Sequence, residues 1–180
     1  MMVESQTRQM LIGTVQFSLA MAVLLFLRLL PLSAGAARWP GADLELCLVL
    51  AWVLRRPDQL AAPVIAVAFL VQGIILFHPL GLWATIVLVG SEAARLREDR
   101  WRDAPFMVEW LRIAILTGMM MLGYRIIQVL FMMPVPALGQ VILHFIATVA
   151  AYPAVVLALR ILFGLRRVTQ TEAEQMRFAR

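Results

Sequence analysis

Apolar and polar positions fall into six blocks along the chain. Runs of apolar residues occupy 10–30, 43–54, 60–77, 81–95, 106–132 and 138–163, with short polar segments between them. Residues 61–90 set the plan, because they contain no Arg, Lys, Asp or Glu. Only the turn His78-Pro79-Leu80-Gly81 divides them into two runs. Each run approaches the roughly 17–25 residues a helix needs to cross a hydrocarbon slab. A turn that short makes the two runs antiparallel neighbours. The pattern predicts an all-α integral membrane protein, one polytopic domain spanning 1–180, with about six transmembrane helices and a tail over 164–180.

The remaining blocks repeat the scheme with local variations. The first run is broken by Gln16 and Arg28, and is followed by Ala34-Gly35-Ala36, a sequence like a signal-peptidase site. A secretory apolar region is usually about 7–15 residues long and lacks a charge near its end, so an uncleaved first span is expected. The run 43–54 is too short to cross unaided. It spans only if the segment Trp39-Pro40-Gly41 dips into the protein or neighbouring helices bury it. Residues 92–103 mix acids with arginines and read as a solvated loop or a surface helix carrying Trp101. Asp103 is expected to cap the next helix, with Pro105 in its first turn. Pro134-Val135-Pro136 reads as a tight turn. Pro153 lies within the sixth run, where a neighbouring helix is expected to satisfy the carbonyl it frees. In the tail, Thr171 and Glu174 have capping-box spacing.

Composition agrees with a bilayer environment. The chain is 62% hydrophobic and 15% charged, with a mean hydropathy of +0.85. A soluble domain carries about 25% charged residues. The net charge of +5 comes from sixteen arginines and no lysine. These arginines flank apolar runs, which argues for topology and against nucleic-acid binding. With six spans and a cytoplasmic N-terminus, the inner segments hold Arg8, Arg55, Arg56, Arg95, Arg97, Arg100, Arg102, Arg166, Arg167, Arg177 and Arg180, whereas the outer loops hold Arg38. Such asymmetry places both termini in the cytoplasm. Cys47 is the single cysteine, so no internal disulfide or thiolate cage forms.

Candidate chemistry is sparse. No catalytic, cofactor-binding or metal-binding pattern is present, and neither histidine has a Cys, Asp or Glu at ligand spacing. On the six-span topology, however, Arg28, Asp43, Glu45, His78, Arg125, Gln128, Gln140 and His144 all fall in the outer half. Two readings of this layer stand. Arg28 and Arg125 pair with Asp43 and Glu45, since an intramembrane ion is costly unless paired or wet, or each long side chain snorkels independently to the interface. Ala150, Ala154 and Ala158 form a small-residue seam suited to close helix approach. Met119, Met120, Met121, Met132 and Met133 read as adaptable apolar filler.

Together these pieces resemble the rod shape-determining MreD family. The resemblance rests on Trp39-Pro40-Gly41-Ala42-Asp43-Leu44-Glu45-Leu46, on the turn Pro79-Leu80-Gly81-Leu82-Trp83, and on a span ending near Ser91-Glu92. It covers about residues 38–97, and the rest only through length and hydropathy. The family commonly carries an acid about eight residues before the turn glycine, where this chain has Gly73 preceded by Gln72. The resemblance implies a non-enzymatic scaffold of the bacterial inner membrane. It would bind the single-span protein MreC and, through it, help couple MreB to RodA and a class B penicillin-binding protein. The competing reading is the substrate-binding membrane component of a vitamin-type transporter, similar in span number. Such components usually carry small residues spaced along span one for their motor partner, and here Ser18 and Ala22 match that spacing poorly.

Overall fold

A computed structural model describes residues 2–30, 41–77, 79, 81–97 and 105–164. The described residues form six α-helices and one short 3-10 turn, with no strand among them. They are α1 (Met2–Leu29), α2 (Leu44–Arg55), the 3-10 turn Pro57–Gln59, α3 (Ala62–Ile75), α4 (Leu82–Arg95), α5 (Phe106–Leu130) and α6 (Leu138–Phe163). Three are long and apolar enough to cross a membrane: Met10–Leu29 within α1, then α5 and α6. The chain is a helical membrane protein.

The shortest helix is the centre of the bundle. Every residue of α2 from Glu45 to Arg55 is buried. Asp43 starts this helix by accepting the Leu46 amide at 3.0 Å on Oδ1, and the Arg56 amide closes it on the Trp52 carbonyl. The other helices form an arc, with α1 against α3, α3 against α4, α4 against α5 and α5 against α6. Trp52 joins the two ends of that arc. It meets Phe17 of α1 edge-on at 5.8 Å and Phe163 of α6 at 5.4 Å. Lipid tails are as apolar as leucine, so close packing and polar contacts hold such helices together.

Local signals account for the remaining elements. Gly81 adopts φ +79 and starts α4, and the Thr85 hydroxyl and amide both bond its carbonyl at 2.8 Å. A left-handed residue there favours glycine. Trp83 follows, buried and edge-on to Tyr124 at 5.2 Å. Pro105 is the N-cap of α5, with no side-chain cap bond, and so stands one position earlier than the expected first turn. Pro153 lies inside an unbroken α6. Gly13 brings α1 onto the 3-10 turn: a Cβ there would stand 2.6 Å from the Gln59 Cβ.

Several expectations fall outside the described residues: His78, Leu80, the Trp39-Pro40 segment, Trp101, the Asp103 cap, and the Thr171 and Glu174 pair with its tail. The alanine seam is described, and it does not pack inside the chain. Ala150, Ala154 and Ala158 are all exposed, while α6 turns Thr148, Tyr152 and Leu159 inward. The methionines divide likewise, with Met120 and Met121 in the core and Met119 and Met132 on the surface.

Candidate functional site

The length of α2 dictates where charge must be handled. Twelve residues rise about 18 Å, against a hydrocarbon core of about 30 Å. Were α2 centred in a bilayer, its charged ends would lie about 6 Å inside each face, at a depth where ions need partners. Two clusters supply them, one at the Asp43 end and one at the Arg55 end.

At the Asp43 end, the side chains come from three helices. Arg28 Nη1 of α1 lies 3.2 Å from Glu45 Oε2, a pair with Glu45 nearly inaccessible and Arg28 about one-third exposed. The Asp43 amide donates to Thr148 Oγ1 of α6 at 3.0 Å, and that hydroxyl donates to the His144 carbonyl at 2.7 Å. His144 Nδ1 stands 2.6 Å from the Gly41 carbonyl. Cys47 Sγ donates to the Thr148 carbonyl at 3.3 Å. Glu45 Oε1 is buried and has no hydrogen-bond partner among the described residues.

Four of the residues expected in the outer polar layer therefore meet here: Arg28, Asp43, Glu45 and His144. Arg125 does not join the acids. Its Nη1 donates to the Pro136 carbonyl at 2.8 Å, fastening the turn between α5 and α6. Asp43 Oδ1 instead accepts the Leu46 amide at the start of its own helix. Gln128 is buried on α5 and Gln140 is exposed on α6.

At the Arg55 end lies a cluster that sequence reasoning did not find. Arg55 Nη1 lies 3.2 Å from Glu109 Oε1 and also donates to the Ala51 carbonyl at 3.1 Å. Tyr152 donates its hydroxyl to the same Glu109 oxygen at 2.6 Å. All three side chains are buried. Arg55 reads in sequence as a basic flank, yet it lies within the bundle, neutralised by an acid 54 positions away. The available signal was Glu109 itself, an acid inside an otherwise apolar run.

Among the described residues, no group of three His, Cys, Asp or Glu side chains could hold a metal ion. What both clusters accomplish is to tie α2 to α1, α5 and α6. Comparison with protein families, curated proteins and solved structures found no match.

Proposed function

We propose that the chain is a six-span, non-enzymatic scaffold of the bacterial inner membrane that serves the cell-elongation machinery. Both termini lie in the cytoplasm, so the Asp43 end faces outward. Its partner is the single-span protein MreC, and through MreC it helps couple MreB to RodA and a class B penicillin-binding protein. The observation that carries this reading is the resemblance of residues 38–97 to the MreD family. The segments that carry it also matter to the fold: Asp43 and Glu45 open the buried central helix, and Gly81 makes the left-handed turn into α4. Exposed apolar surface on α6, including the Ala150, Ala154 and Ala158 face, supports helix-to-helix docking in the membrane.

A second reading, the substrate-binding component of a small-solute transporter, is favoured by one observation. Among the described residues Glu45 Oε1 is buried without a hydrogen-bond partner at the Asp43 end, where a polar solute group would bond it. Purification of the tagged chain from native membranes in mild detergent separates the two. The scaffold reading expects a single-span protein with a periplasmic domain to accompany it. An accompanying ATPase module or a bound solute would replace it with the transporter reading.

A further inference from the structure

Between α1 and α3 runs an open groove of about 650 Å³. Its walls are Met21, Leu25 and Leu29 on one side and Val64, Val67 and Val71 on the other, and Ala22 and Ala68 give it depth. The groove exists because α1 is fastened elsewhere. At one end Gly13 and Thr14 press on Gln59, with the Thr14 hydroxyl 3.4 Å from the Gln59 carbonyl. At the other end Arg28 bonds Glu45 on α2.

The lining decides what fits. The walls run from Ser18 to Leu29 and from Pro63 to Ile75, about 18 Å along the axis at 1.5 Å per residue, comparable with one leaflet of a hydrocarbon core about 30 Å thick. A single acyl chain can lie along that length against apolar side chains on both walls. Ser18 is the single polar side chain among the lining residues, so water gains little by entering.

One residue beside the mouth can recognise a headgroup. Arg28 precedes the lining residue Leu29, at the end of α1. Its Nη1 bonds Glu45, but the side chain remains about one-third exposed. A guanidinium presents five donors in a planar fork, so one face can hold a carboxylate while another holds a phosphate. We propose that the α1–α3 groove binds one membrane phospholipid, an acyl chain lying between Ala22 and Ala68 and the phosphate on Arg28. This site is independent of the scaffold reading.

The test is to purify the full chain in mild detergent and measure the phospholipid it retains. Delipidated protein is then returned to phosphatidylcholine vesicles containing spin-labelled phosphatidylglycerol. The parent chain is expected to retain about one phospholipid per protein and to immobilise a fraction of the label. Ala22→Phe, which fills the groove from its exposed side, is expected to lower both readings severalfold. Ile115→Phe on the exposed face of α5 should leave them unchanged, and melting temperatures show that each variant is folded. Arg28→Gln is expected to lower retention and Arg28→Lys to preserve most of it. Equal retention by the parent chain and Ala22→Phe would overturn the proposal. So would loss from Ala22→Phe of an accompanying protein rather than of lipid. Retention unaffected by Arg28→Gln would overturn the assignment of the phosphate.

Discussion

Trp110 Nε1 donates a 2.9 Å hydrogen bond to the Val149 carbonyl, the acceptor that Pro153 leaves without an amide from its own helix. Proline removes the donor that would bond the carbonyl four residues earlier. In a bilayer that carbonyl has no water to turn to, so a neighbouring helix supplies the donor. Trp110→Phe is expected to destabilise the fold by about 1–2 kcal/mol. In a Pro153→Ala background the helix regains its own donor, and the same Trp110→Phe change should then cost much less. A double-mutant cycle on thermal unfolding in detergent measures the coupling, and additive effects would refute it.

The Arg55, Glu109 and Tyr152 cluster makes a sharper prediction, because all three side chains are buried. Glu109→Gln preserves shape but leaves Arg55 as an uncompensated buried charge, at an expected cost of about 3–5 kcal/mol. Tyr152→Phe removes one hydrogen bond and is expected to cost about 1–2 kcal/mol. Adding Arg55→Gln to Glu109→Gln removes the stranded charge and should recover a large part of the loss. Denaturant unfolding of the purified variants gives the order. A double variant no more stable than Glu109→Gln alone would rule out charge burial as the cause.

These two sites show which kind of information the sequence carries. Helix number, the turn at Gly81 and the need of Pro153 for a donor were legible, because each depends on local composition or a fixed backbone constraint. The status of residues 43–54 was not legible. Their length argues against a span, whereas their burial depends on α1, α4 and α6, which come from distant parts of the chain. Arg55 misleads for the same reason: beside Arg56 it reads as a basic flank, and only the packing of α5 brings Glu109 to it. At the Asp43 end, opposite charges pointed to pairing, and Arg28 does meet Glu45. The pattern could not foresee that Asp43 caps its helix while Arg125 serves the Pro136 carbonyl.

Two glycines give a comparison that depends on what a new methyl group would strike. A Cβ at Gly13 would stand 2.6 Å from the Gln59 Cβ, an atom fixed by the backbone. At Gly90 it would stand 2.5 Å from the Met120 thioether sulfur, near the end of a flexible side chain. Gly13→Ala is therefore expected to cost about 1–3 kcal/mol through overpacking, and Gly90→Ala clearly less. Melting temperatures of the two variants should fall in that order.

Orientation can be read by labelling, since Cys47 is buried and the parent chain offers little background. Phe77 at the end of α3 and Leu96 at the end of α4 are 95% and 84% exposed. With both termini in the cytoplasm, Phe77→Cys is expected to react with an impermeant maleimide on intact spheroplasts. Leu96→Cys should react only after the membrane is opened. The reverse pattern would invert the proposed topology, and labelling of both from one side would remove the α3–α4 hairpin as a pair of spans.

Gln72 is completely buried on α3, and among the described residues neither its amide nitrogen nor its amide oxygen has a hydrogen-bond partner. A buried polar group left unsatisfied costs about 1–3 kcal/mol, whereas an apolar side chain of similar size carries no such penalty. Gln72→Leu is therefore expected to stabilise the protein, and thermal unfolding in detergent would show it as a higher melting temperature. The sign of the change is what matters. A lower melting temperature would mean that a water molecule or another bound group satisfies the amide in solution. Gln72→Glu distinguishes the cases further. Without a partner, a buried carboxylate costs more than the amide and destabilises strongly. Were a cationic or donor group present beside position 72, the carboxylate would be tolerated, and the loss relative to Gln72→Leu would be small.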